Sequence, residues 1–306
     1  MQALTDVNRL IALRKWQDRA FIAVGAGCTA LGVLALAALL IKLAVDGLPF
    51  ISYRFLTSRP SELFPDSAGI LTPIIGTLAV VVVTFFAAVP LGVATAVYLE
   101  EYARKNWLTD LIEINISNLA GVPSITFGLL GYWFFCTLLG LKPVVFVGGL
   151  TLAILVLPII IVTTREALRT IPSSIREAAY AAGATKWQVI RYHLLPYSLG
   201  GILTGTIIAL SRAIGETAPL IALGAGGFVP DPPPGPLSSR FPFINFAWLQ
   251  KPFMALPTLM FNWTDNPNVM FRQKAAAIGL VLIVLTLSLN AVAIVIRYRI
   301  RKRIKW

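Results

Sequence analysis

Long uncharged apolar runs, separated by short polar segments, dominate the chain. They fall at 20–41, 67–99 (apolar from Ile70), 114–141, 143–164, 194–211 and 275–296, the fifth continuing past a charged interruption to about Gly227. A bilayer core of about 30 Å takes about 20 apolar residues as a helix, so each run is long enough to cross. No stretch alternates with period two over about ten residues, the pattern of a transmembrane barrel. The expected fold is therefore an all-α membrane protein with six transmembrane helices. One helix over 20–45 precedes a core over 70–296, with spans near 70–98, 114–141, 143–164, 197–225 and 275–296. The first run is longer than a cleavable h-region and no A-x-A-like site follows it, so it reads as a retained helix. Pro73, Pro90, Pro123, Pro158 and Pro219 fall within the runs. Membrane helices tolerate such prolines where neighbours satisfy the freed carbonyls.

Composition agrees. Of 306 residues, 57% are hydrophobic and 13% charged, against roughly 45–50% and 25% in soluble domains. This excludes a soluble enzyme, a disordered chain and a nucleic-acid-binding domain, although the net charge is +12. The charge instead records topology. Seventeen of the 26 Lys/Arg lie in segments 1–19, 100–113, 165–193 and 297–306, eight lie in 42–66, at Lys142 and in 228–274, and Arg212 stands inside a span. The positive-inside rule then places both termini in the cytoplasm, with 46–69 and 228–274 extracytoplasmic. The tail 297–306 holds six cations and reads as a juxtamembrane anchor on anionic lipid rather than a nucleic-acid site. Cys28 and Cys136, both in apolar runs, read as small packing residues.

No means of doing chemistry is visible. The phosphate-cradling G-x-x-x-x-G-K-[ST] and the nucleophile elbow G-x-S-x-G are absent, and a single histidine, His193, excludes H-E-x-x-H. Gly25-Ala-Gly27-Cys-Thr-Ala30 lies inside the first span with no strand before it, so it is no dinucleotide site. No catalytic residue, metal or cofactor is expected in this chain; energy for uphill work would come from a partner.

The most organised polar segment is 165–193. Ser173 is a candidate N-cap with Glu177 a turn later, and Ile175, Ala178, Ala179 and Ala182 share one face of a short helix. Gly183 ends it, Thr185 caps a second helix from Lys186 to Leu195, and Pro196 re-enters the membrane. Two short helices meeting at a glycine would form a cytoplasmic knob suited to docking a soluble partner. In the fifth span, Gly201 and Gly205 form a small-xxx-small pair for close helix packing. At about 100° per residue, Gly201, Gly205, Ile208, Arg212 and Glu216 share one stripe. An intramembrane charge is a functional hypothesis by default. Two readings stand: Arg212 and Glu216 neutralise each other, or Arg212 offers its guanidinium fork to an oxyanion along a wet path while Glu216 tunes it. The outer loop holds a stiff stretch, Pro230–Pro236, and an apolar segment from Trp248 to Trp263 able to lie along the interface. It reads equally as a lid or binding-protein contact and as an insertion. Asn290 is expected to bond across helices.

Glu177-Ala-Ala, Gly183 and Leu195-Pro196 match the EAA loop of ABC-transporter permeases: EAA, three residues, G, nine residues, I, one residue, LP. The Ile slot holds His193, which alters an apolar contact. Further strings are Ser211-Arg-Ala-Ile-Gly-Glu-Thr-Ala-Pro219, Asn118-Leu-Ala-Gly-Val-Pro-Ser-Ile-Thr-Phe-Gly128, Leu157-Pro-Ile-Ile-Ile161, Gly183-Ala-Thr-Lys-Trp187, Pro90-Leu-Gly92 and Tyr98-Leu-Glu-Glu-Tyr102. With these the chain resembles type I (MetI-like) ABC importer permeases, and among them the A-type permease subunit of phosphate-specific (Pst) transporters, over about 70–296. The C-type sister is the alternative, as is a permease for another oxyanion. The resemblance implies a coupling helix that seats in the ATP-binding subunit, with Glu177, Ala178, Ala179, Gly183, Leu195 and Pro196 in that role. It implies a translocation path past Arg212, Glu216 and Thr217. The implied partners are a second permease (PstC-like), a dimer of ATP-binding subunits (PstB-like) and an extracytoplasmic phosphate-binding protein (PstS-like), in the bacterial inner membrane, with phosphate as substrate.

Overall fold

The computed structural model describes residues 2–235 and 245–303, with side chains for 14–235 and 245–299. Pro236 of the Pro-rich stretch, residues 304–306 and the tail side chains from Ile300 onward lie outside the described residues. In chain order the α-helices are α1 (Gln2–Gly47), α2 (Tyr53–Thr57), α3 (Leu71–Val97), α4 (Trp107–Leu119), α5 (Ser124–Gly131), α6 (Val145–Arg169), α7 (Ser173–Ala181), α8 (Lys186–Val189), α9 (Leu195–Gly215), α10 (Ala218–Ala222), α11 (Leu256–Thr264) and α12 (Val269–Arg303). Single π-helical turns extend α3 to Tyr102 and α5 to Leu138, and join α8 to α9. Among the described residues, five helices are long and apolar enough to cross a membrane, or six if the bent pair α4–α5 is one span.

The centre is α6. Val145, Val147, Leu152, Val156, Ile160, Ile161 and Leu168 on it are buried. Its neighbours approach through small residues. Gly149 leaves room for Val83 of α3, and Gly92 of α3 for Ile160. On α9, Gly201 meets Ala167 and Gly205 meets Thr163. Thr84 Oγ1 donates to the Gly149 carbonyl at 3.1 Å, so α3 touches backbone as well as side chains. In lipid, where apolar burial gains little between helices, such approach is the main source of cohesion. By contrast α1 is scarcely buried. It leans on α12 near its C-terminus, where a Cβ at Gly47 would stand 2.8 Å from the Ala276 carbonyl carbon. Cys28 on it is exposed, which corrects its reading as a packing residue, while Cys136 is half-buried against the core.

Two ends of the bundle separate. At one, Thr72 Oγ1 donates to the Pro230 carbonyl at 2.7 Å, and Arg59 pairs with Asp231 at 2.8 Å. There the Val145 N–H donates to the Lys251 carbonyl at 3.0 Å. Buried Lys274 gathers the same end: it donates to the carbonyls of Pro65 and Ala68, the latter at 3.0 Å, and lies over the Phe55 ring. At the other end, segments 98–113 and 165–194 meet. The Lys/Arg count groups these segments in the same two sets.

Three expectations need correction. The run 114–141 is not one straight span: α4 and α5 meet at 108°. Nor is the fifth span one helix from 197 to 225; it stops at Gly215 and restarts at Ala218. Both breaks follow from proline. A proline lacks the N–H that would bond the carbonyl four residues back and its ring crowds that carbonyl; Pro123 acts on Leu119 and Pro219 on Gly215, the last residues of α4 and α9. Lastly, the segment around Trp248–Trp263 packs into the bundle instead of lying over its surface. It tucks inward, with Met254, Leu256, Leu259 and Trp263 buried. Gly76 of α3 packs directly on the Met254 carbonyl. Gly76→Ala must push that backbone away, and should destabilise the chain by about 1–3 kcal/mol. Gly25→Ala, in open space, should change nothing in the same detergent-phase thermal unfolding.

Candidate functional site

Segment 173–196 is built by capping and packing. α7 begins at Ser173 with Pro172 as its N-cap, so Ser173 is the first helical residue rather than the cap. The chain turns at Gly183, whose φ of +83° is a left-handed conformation open to glycine at little cost. Thr185 then caps α8 in a capping box with Gln188. The second helix is not a separate piece of a knob: from Lys186 it continues through Leu195 and Pro196 to Gly215. Proline is accepted there because the π-helical turn just before it, with the Leu195 N–H bonded to the Ile190 carbonyl, shifts the hydrogen-bond register. Inward, Ala179 is buried and Ile175 half-buried, in a nucleus with Val97, Leu168, Ile171, Val189, Ile190 and Leu194. Ala178 and Ala182 are exposed instead of sharing that inner face, and Glu177 and Gly183 are exposed with them. Glu177 makes no hydrogen bond or ion pair among the described residues.

The stripe on α9 has two fates. Its lower part, Gly201 and Gly205, is covered by α6, whereas Ile208 and Arg212 are exposed. Arg212 Nε donates to Glu216 Oε1 at 3.0 Å, with the Arg212 side chain 41% and the Glu216 side chain 16% exposed. The two Nη groups of Arg212 make no hydrogen bond among the described residues. Glu216 is already extended, at φ −79° and ψ 119°, because α9 has ended. Thr217 follows in the break, half-buried. Beside Arg212, Ser211 Oγ donates to Asn290 Oδ1 of α12 at 2.6 Å, the cross-helix bond expected of Asn290. An anchored backbone thus presents a half-used guanidinium on an outward face, at a break in the helix.

A third group was not legible as a site. Glu100 and Glu101, side by side in the π-turn after α3, face a row of arginines. Arg165 meets Glu100 at 3.4 Å and Glu113 at 2.6 Å; Arg169 meets Glu100 at 3.0 Å; Arg176 meets Glu101 at 2.9 Å. The signal was a pair of acids in a segment scored only for its cations.

Residues 88–306 match the family described as "Binding-protein-dependent transport system inner membrane component". The chain belongs to this family. Curated relatives of this permease include the "Probable ABC transporter permease protein YqgI" of Bacillus subtilis, 30% identical, with 68% of this chain and 70% of the relative aligned. The "Phosphate transport system permease protein PstA" of Yersinia pestis is 33% identical over 73% of this chain and 69% of its own. A chain of the MetNI methionine ABC transporter, solved in inward-facing conformations, shares the fold with a TM-score of 0.56 at 17% identity, covering 76% of this chain and 95% of that one. The matched region begins in α3, so α1 lies outside the family's shared part.

For this permease, Gly183→Ala should cost about 1–2 kcal/mol through the left-handed backbone. Thr185→Ala should cost about 1 kcal/mol through the lost cap. Faster amide exchange across 173–189, with 145–160 unchanged, is the expected result for both.

Proposed function

We propose that this permease is the A-type transmembrane subunit of an ATP-driven importer of inorganic phosphate, in a bacterial inner membrane with both termini cytoplasmic. The observation that carries the proposal is Arg212. Its guanidinium, paired with Glu216 through Nε alone, lies on an exposed face, and a half-paired cation facing lipid is expensive. Water and a second protein wall must therefore cover it, which is the setting of a solute path between two subunits. The free Nη fork suits the oxygens of an oxyanion, and Glu216 holds the Nε side so that the fork stays aimed. The PstA relative supports phosphate as that anion; nothing favours the C-type sister over it.

The chain itself hydrolyses nothing and holds no cofactor. A dimer of ATP-binding subunits docks on the exposed Glu177–Gly183 surface, and ATP-driven motion there passes through the continuous α8–α9 rod toward Arg212. An extracytoplasmic binding protein delivers phosphate at the opposite end, where 42–72, 228–235 and 245–278 gather. Alternating access opens the path to each side in turn.

Uptake by the assembled complex in vesicles tests the reading. Arg212→Ala should lower phosphate uptake at least about tenfold, and Glu216→Gln by less, because it frees the fork without removing it. Near-normal, phosphate-specific uptake in both variants would overturn it. Equal competition by sulfate would move the assignment to a broader oxyanion class.

A further inference from the structure

Arg176 stands immediately before Glu177 on α7, and its guanidinium joins three elements. Nε and Nη2 donate to Glu101 Oε1 at 3.1 and 2.9 Å, at the end of α3. Nη1 donates to the Ile171 carbonyl at 2.9 Å and Nη2 also to the Leu168 carbonyl at 3.1 Å, at the C-terminal end of α6. Leu168 is in the last turn of α6 and Ile171 two residues past its end, so the cation also complements the C-terminal end of the helix dipole. The junction is mostly dry: the Arg176 side chain is 21% exposed and that of Glu101 is 8% exposed. A half-exposed pair such as Arg169–Glu100 contributes little; a desolvated, multiply bonded one is costly to break.

The apolar nucleus beneath holds the same elements together, but apolar contact is non-directional. Fixed donors and acceptors set register. Lys186 of α8 lies 4.9 Å from the centre of the Tyr102 ring, so the far side of the coupling segment grips the same π-turn. The neighbouring carboxylate, Glu100, passes the connection to Arg165, and Arg165 to Glu113 of α4. Through the bend, α4 leads to α5, where Gly128 packs against Pro219 of α10, three residues from Glu216.

We infer that the Arg176–Glu101 junction is a positioning tie that makes the end of α3 move with the docking helix, so that ATP-driven motion is felt at the broken helices and not only along α9. The inference rests on the permease reading and adds a second route for the same motion.

Charge reversal in the assembled, vesicle-reconstituted complex is the test, with ATP hydrolysis and phosphate uptake measured together. R176E should lower uptake per ATP hydrolysed at least about tenfold, as for a broken desolvated pair, while the complex still assembles. E101R combined with R176E should recover part of the loss, the pairwise share that a double-mutant cycle isolates, while the two carbonyl bonds of Arg176 stay lost. Unchanged uptake per ATP in R176E, or no recovery in the double variant, would overturn the tie. Should R176E fail to assemble, E101Q decides: it leaves the carbonyl bonds of Arg176 intact and only discharges the pair. About a threefold loss, the size of a weakened charge-assisted bond, is expected, and normal coupling would overturn the inference. A wild-type complex inert toward phosphate fails the substrate assignment instead. The tie is then read on ATPase rate alone, which R176E must alter and the double variant partly restore.

Discussion

How near other helices can come to α6 governs this structure. Between helices in hydrocarbon, side-chain burial earns little, and cohesion depends on close contact and on polar groups finding partners. Val83, Ile160, Ala167 and Thr163 are each met across the seam by a glycine or fill the space one leaves. Because both α3 and α9 are brought close to α6, their ends fall where α7 can reach them. The apolar nucleus around Leu168 and Ile190 is a product of that geometry.

Much of this is legible in the amino-acid pattern. The apolar runs, Gly183 as a helix end, the Thr185 cap, the Gly201–Gly205 seam and the Asn290 bond all follow from local rules and recur in the structure. The two faces follow from Lys/Arg bias alone. The broken spans were harder. Pro90 and Pro158 remain inside α3 and α6, whereas Pro123 and Pro219 end helices. The difference is a glycine within the four preceding residues, Gly121 and Gly215, absent before Pro90 and Pro158. Proline count does not separate the cases; proline with its upstream neighbours does.

The charged junctions escaped for a different reason. Positive-inside counting gives acids no weight, so Glu100, Glu101 and Glu113 drop out of the very tally that locates Arg165, Arg169 and Arg176. Their pairing spans 52 to 75 residues, and no local pattern encodes contacts at that separation. The uneven exposure of the α9 stripe was hidden likewise: helical angle puts Gly205 and Arg212 on one line, but where α6 stops covering that line is a matter of three-dimensional crossing.

The outward placement of Arg212 bears on the life of the subunit before assembly. Alone, the chain leaves the Arg212 side chain 41% exposed beside Glu216 and offers α1 almost bare beside its other helices. On the proposed function, the fork that meets the anion in the complex is the same group that a lone copy leaves without a second wall.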